Sequence, residues 1–214
     1  MMRVTLERPW LTADLDRPCR MLGWAPHNPG FVTASRVVWR EVRDADLTED
    51  FDALGWLAAS MDARGDAAAV GLLTSRDLAR YRLETACSGL VSASCLATIG
   101  LTNAERVGHR LPRDADAWGT INILAATDAG LSDTALTELL SIVAEARTAA
   151  VIDHGPDLLS GRATGTGTDC IVVAAPAGPG LFAGLHTDVG EAVGAAVYRA
   201  VAAGTAAWMR EQEA

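Results

Sequence analysis

The chain has no lysine: all eighteen of its basic residues are arginine. That absence excludes Schiff-base chemistry, a general-base lysine and the lysine of a phosphate-binding P-loop. Cysteine is scarce, with residues at 19, 87, 95 and 170 and no C-x-x-C pair. Such scatter fits neither a zinc site nor a thiol–disulfide motif, and a reduced, cytoplasmic setting is the expectation. Long apolar runs are also missing. The longest, around Leu90–Leu101, is too short to span a bilayer, so no membrane insertion is expected. The first fifteen residues carry early charges and lack the apolar stretch of a signal peptide. Positive charge is in the minority, 18 basic against 27 acidic residues for a net charge of -9. A broad nucleic-acid or anionic-membrane surface is therefore not expected, although a local arginine cluster is allowed.

What is present is ordinary globular material, 214 residues of which half are hydrophobic and 21% charged. That length can bury a full core in one domain. The expectation is a single α+β domain over residues 1–214, a mixed sheet flanked by helices with a long C-terminal helix, because several early strands are contiguous.

Residues 2–43 read as extended, with His27-Asn28-Pro29-Gly30 as a turn in which proline fixes φ and glycine supplies the reversal. Apolar residues at helical spacing predict a helix over Leu47–Arg64, ended by Gly65. A short strand over Ala67–Leu73 follows, and Thr74-Ser75-Arg76-Asp77 reads as the start of a second helix. Leu90–Leu101 and Gly119–Ala126 are strand candidates, with Leu111–Ala117 a polar loop between them. Asn122 interrupts the second run, and a buried amide must be hydrogen-bonded or functionally engaged. A helix from Asp133 to about Ala150 puts Arg147 on its apolar face and Glu145 on the opposite one. The final helix follows Leu185-His186-Thr187-Asp188, with Asp188 and Glu191 as a capping box.

Just before the apolar run Cys170–Ala175 lies Thr164-Gly165-Thr166-Gly167-Thr168-Asp169. Two glycines allow a sharp loop, three hydroxyls offer donors and acceptors, and one carboxylate closes the segment. Loops held by rigid elements are favoured places for chemistry. His186 stands beside a helix N-terminus, where unpaired N–H groups favour anions. Cys170 adjoins the loop, but a thiol buried in an apolar strand is a poor nucleophile.

Thr164–Asp169, Gly119-Thr120-Ile121-Asn122 and His186-Thr187-Asp188-Val189-Gly190 together resemble the adenosylcobinamide amidohydrolase (CbiZ) family. Asn28-Pro29-Gly30, Gly71-Leu72-Leu73-Thr74, Gly100-Leu101-Thr102-Asn103-Ala104 and Glu145-Ala146-Arg147 fit the same pattern, in order, over roughly residues 20–200. The chain departs from it at Pro29, where glycine is expected, and at Arg147, where lysine is expected. Both departures bear on corrinoid preference.

The resemblance implies hydrolysis of the amide joining aminopropanol to the corrin propionate, in corrinoid salvage for cobalamin biosynthesis. Cobalt would arrive within the corrinoid substrate; no cofactor or metal of the protein's own is expected, and no H-E-x-x-H motif is present. Asp169 or His186 would activate water, the other orienting it or serving as acid. Gly165 and Gly167 N–H groups with the Asn122 amide would hold the oxyanion. Thr164, Thr166 and Thr168 would bind the corrin's amide side chains, or one of them would attack. Asn28, Thr74, Thr102, Asn103 and Arg147 complete the expected substrate-binding set. A homo-oligomer is compatible with all of this.

Three other readings stay open. One is a non-catalytic corrinoid-binding or trafficking protein, and another an amidase acting on a smaller substrate. The third is a nucleotide-binding protein, which the missing lysine and missing third glycine disfavour. The six tryptophans suit a bulky apolar ligand and equally suit a core.

Overall fold

The computed structural model describes residues 2–42, 52–110, 112 and 119–213. The start of the expected first helix and nearly all of the Leu111–Ala117 loop lie outside them. The early extended region forms β1 (Met2–Glu7), β2 (Trp10–Gly23) and β3 (Gly30–Glu41). The turn expected at 27–30 joins β2 to β3, with positive φ at Asn28 and Gly30. The described part of the first helix, α1, is Ala53–Arg64. The Asp52 side chain caps it by accepting from the Gly55 N–H, and Gly65 ends it in the left-handed conformation.

After β4 (Val70–Thr74) the second helix expected from Thr74–Asp77 does not form. Asp77 caps only a single 3-10 turn, Leu78–Arg80. The chain then enters β5 (Arg82–Ser88), which pairs along its whole length with β6 (Val91–Ile99). The seven residue pairs of that hairpin outweigh a local capping signal, which nucleates poorly without an apolar face to bury.

The order continues with β7 (Ala104–Glu105), β8 (Ile121–Thr127), α2 (Asp133–His154), β9 (Asp157–Leu158), β10 (Gly161–Arg162), β11 (Gly165–Thr166), β12 (Cys170–Ala175) and α3 (Asp188–Gln212). β8 and β12 are buried at every position. Such continuous apolar runs mark strands covered on both faces.

The eight-stranded sheet has the order β4-β3-β2-β12-β8-β6-β5, with β1 added beside β2. It is mixed: β12 runs parallel to β8 through the α2 crossover and antiparallel to β2. An irregularity between Asp14 and Cys19 interrupts the pairing of β2 with β3, and such bulges bend strands. The bend lets the β1–β4 part fold over the rest, so that Trp39, Val70 and Leu72 share an inner core with Leu96, Leu124 and Val172.

Two further clusters complete the layers. One lies between β5, β6, β8, β12 and the helices α2 and α3, and the other lies under α1. No helix of the described residues is long and apolar enough to cross a membrane.

Both long helices run from the Ala175 end of the sheet towards the Asp169 end. Near their starts, Glu138 of α2 accepts from the Ala183 N–H, 2.6 Å away, and Asp188 of α3 accepts from Ser88 at the β5–β6 turn. Near their ends, Arg147 of α2 reaches Asp169, and Gly204 of α3 lies against Ile99. The cap of α3 is Thr187, whose Oγ1 accepts from the Gly190 N–H at 3.0 Å. It is not Asp188, which sits one residue inside the helix and is engaged by Ser88.

Candidate active site

Asp169 precedes the first residue of β12, at the end of the sheet where β8 begins and β6 finishes. Its side chain is only 7% exposed. A carboxylate so buried needs donors, and it has four. The Thr166 N–H (3.1 Å), the Thr166 hydroxyl, the Ile121 N–H (3.2 Å) and the Arg147 guanidinium all point at it. Burial pushes the Asp169 carboxyl above the usual carboxylate range, against the opposing pull of Arg147 and Thr166. The result is a carboxylate fixed in place yet ready to take a proton.

The Thr/Gly loop reaches this position because Gly165 and Thr166 form β11, paired with Ala104 and Glu105 of β7. Gly165 cannot be replaced cheaply. A Cβ there would collide with the Arg147 guanidinium, which also donates to the Thr164 carbonyl at 3.3 Å. Thr164 is held in turn, its hydroxyl accepting from the Val107 N–H at 2.8 Å. At Gly167 the opposite holds: an added Cβ would meet nothing within 4 Å. Open space at a glycine without backbone strain leaves room for a ligand to approach the main chain.

Thr168 ties the loop to its neighbours. Its hydroxyl donates to the Gly119 carbonyl at 2.7 Å and accepts from Asn103 Nδ2 at 3.4 Å. Its carbonyl lies 2.7 Å from the Thr120 hydroxyl, which is also 3.1 Å from Asn122 Oδ1. Asn122 Nδ2 donates one of its two N–H groups to the Leu73 carbonyl at 2.8 Å. Thr74, next to that carbonyl, accepts from the Arg76 N–H.

Asn28 spans the approach to β4 through hydrogen bonds of 2.9 Å to the carbonyls of Ala67 and Ala69. Trp24, at the end of β2, donates its indole N–H to the Asp169 carbonyl at 2.6 Å. Thr102 is exposed beside Asn103, and its N–H lies within 2.8 Å of where a Cβ on Gly119 would sit.

The tertiary structure thus gathers Thr164–Asp169, Arg147, Asn103, Thr120, Asn122 and Leu73-Thr74 at one end of the sheet. His186 is not among them. It is exposed just ahead of α3, on the Glu138 side of the molecule. From Glu138 to Arg147 is on the order of 14 Å along α2. The stretch around His186 serves to start a helix: Thr187 caps it, and a Cβ at Gly190 would strike the Gly184 carbonyl. Glu145 is exposed on the outer face of α2, as its spacing predicts. Cys170 is buried, with its thiol pushed up to about 12 by desolvation and the neighbouring Asp169, which removes it as a nucleophile at neutral pH.

A cleft of about 880 Å³ opens beside Thr166, Gly167 and Arg147. It is also lined by Arg106, Val107 and Arg110, which motif reading did not single out. The available signal was charge: two arginines close together in an acidic chain. Among the described residues no group of three histidine, cysteine, aspartate or glutamate side chains is placed to hold a metal ion. The grouping that does exist, a hydroxyl donating to a buried carboxylate beside an open cleft, suits acyl-transfer chemistry.

The model of a family described as adenosylcobinamide amidohydrolase matches residues 1–213. A protein of Halobacterium salinarum named adenosylcobinamide amidohydrolase is 33% identical over 196 residues, 85% of this chain and 77% of that protein. An uncharacterized protein of Methanocaldococcus jannaschii is 40% identical over 90 residues, 39% of this chain, and the match spans 34% of that protein's length. Among solved structures, a Burkholderia β-aminopeptidase aligns at TM-score 0.43 and 14% identity, over 97% of this chain and 79% of that one. An L-aminopeptidase D-Ala-esterase/amidase from Ochrobactrum anthropi aligns at TM-score 0.39 and 13% identity, over 95% and 82%. With the whole described chain inside the family match and a named relative at 33% identity, the chain belongs to the adenosylcobinamide amidohydrolase (CbiZ) family.

Proposed function

We propose that the protein hydrolyses the amide linking aminopropanol to the corrin propionate of adenosylcobinamide, releasing adenosylcobyric acid and aminopropanol for cobalamin synthesis. The single observation that carries the chemistry is the Thr166 hydroxyl donating to the buried Asp169 carboxylate at the edge of the cleft. In this reading Thr166 Oγ1 attacks the amide carbonyl carbon and its proton passes to Asp169. The oxyanion is met by main-chain N–H groups of the loop around Gly167. Asp169 then returns the proton to the departing nitrogen, and the C–N bond breaks to leave an ester on Thr166. Water, deprotonated by the same carboxylate, hydrolyses that ester and restores the hydroxyl.

Arg147 holds Asp169 in its resting, ionised form. Cobalt takes no part in these steps and enters as cargo of the substrate. The setting is cytoplasmic, in keeping with four free cysteines.

The test is anaerobic, dark incubation with adenosylcobinamide and mass analysis of the corrinoid. Wild type yields adenosylcobyric acid. Asp169→Asn lowers the rate on the order of 10²–10⁴-fold, the range for loss of an acid–base group, and Thr166→Ala, which removes the nucleophile, lowers it at least as far. Binding without hydrolysis by wild type would instead make the protein a corrinoid carrier.

A further inference from the structure

The cleft beside Thr166 carries more positive charge than the amide chemistry uses. Arg106, Arg110 and Arg147 line it, and among the described residues the lining includes one carboxylate, Glu105. Arg147 is committed to Asp169. Arg106 and Arg110 make no ion pair with any described residue, whereas Arg20, Arg36 and Arg76 each sit on a carboxylate at 2.9 Å or less. In a chain of net charge -9, two guanidiniums in one cleft without an ion pair to any described residue concentrate positive potential there.

Arg106 is also held in position. Its Nη1 donates to the Arg162 carbonyl at 3.0 Å, and Gly161, at φ +103°, lets the β9–β10 turn approach that guanidinium. One donor of five is thereby anchored. Gly167, which lines the same cleft, has open space where a Cβ would sit.

A cleft of about 880 Å³ suits a ligand arm rather than a whole macrocycle, since pockets of roughly 300–1,000 Å³ enclose drug-sized molecules. We infer that this cleft is an anion subsite, in which Arg106 and Arg110 hold an anionic oxygen group of the ligand next to the amide that Thr166 and Asp169 cleave. The inference rests on the amidase reading for the ligand's orientation. Two groups share this chemistry: a phosphoryl ester on the departing amino alcohol, and the carboxylate of the acid product.

Inorganic phosphate is the first probe, used on the full chain with adenosylcobinamide hydrolysis as a separate readout. Phosphate should raise the thermal midpoint and inhibit competitively. Arg106→Gln and Arg110→Gln should each weaken it roughly tenfold, the scale of one lost charge-assisted contact. Arg110 is exposed, so its variant separates charge loss from misfolding.

If the O-phosphorylated substrate shows a lower KM that Arg106→Gln abolishes, the group read is phosphoryl. If the acid product inhibits more tightly than phosphate and loses that advantage in the same variant, the group read is carboxylate. Phosphate that fails to bind, binds equally well to both variants, or binds without competing overturns the subsite. Continued hydrolysis of adenosylcobinamide in that case leaves the amidase reading intact. Competition lost in the arginine variants of a protein that binds the corrinoid but never cleaves it would keep the subsite and remove the amidase.

Discussion

Asp169 is the residue on which the chemistry turns, because its surroundings pull its proton affinity in opposite directions. Burial favours the neutral acid, while Arg147, the Thr166 hydroxyl and two main-chain N–H groups favour the anion. Burial wins, so the carboxyl titrates above its ordinary 3.8. A general base must be ionised to accept a proton. Activity therefore rises with pH through this raised value and falls as pH drops below it. We expect a kcat/KM profile with an acid limb above 3.8 that disappears from the residual activity of Asp169→Asn. A limb that persists unchanged in Asp169→Asn would remove Asp169 from the role. Thr166 was visible in the sequence only as one of three equivalent threonines. Its hydroxyl is singled out by contact with Asp169, whereas the Thr164 and Thr168 hydroxyls are spent on tying the loop to Val107 and Gly119.

At the scale of elements, α3 shows how a motif can mislead about place. The His186–Gly190 stretch reads as a site because histidine and a helix N-terminus coincide. In the structure it starts α3 at the end of the sheet remote from Asp169, since α2 and α3 run alongside each other towards it. Thr187→Ala removes the cap and should cost about 1 kcal/mol, read as a lowered Tm. His186→Ala should leave hydrolysis of adenosylcobinamide near the wild-type rate; a loss as large as that of Asp169→Asn would return His186 to the mechanism. The second helix expected after Thr74 failed for a related reason. A capping sequence describes where a helix can start, but the pairing of Arg82–Ser88 with β6 decided what followed.

For the whole molecule, the link between Asn122 and the Leu73 carbonyl joins β8 to β4, strands at well-separated places in the sheet order. The site is therefore assembled by closure of the sheet. Asn122→Leu would leave the Leu73 carbonyl without that donor inside the protein, costing about 1–3 kcal/mol, which a thermal melt would report as a lower Tm. An unchanged Tm with lost hydrolysis would instead make Asn122 an oxyanion donor.

Much was legible from sequence alone. Apolar periodicity and turn residues marked residues 2–43 as extended, without separating β1 from β2, and located β4, β6, β8, β12 and both long helices, because burial of β8 and β12 or of one face of α2 leaves a local record. The Thr/Gly loop, its carboxylate and the inward-facing Arg147 were likewise readable, since each depends on neighbours within a few residues. Which of these meet was decided only by tertiary structure. The bend in β2, the α2 crossover and the parallel course of α2 and α3 bring Trp24, Asn103, Arg147 and Thr166 around Asp169 and leave His186 behind. Those contacts join residues far apart in the chain, and their strength comes from burying shared surface, which no local pattern encodes.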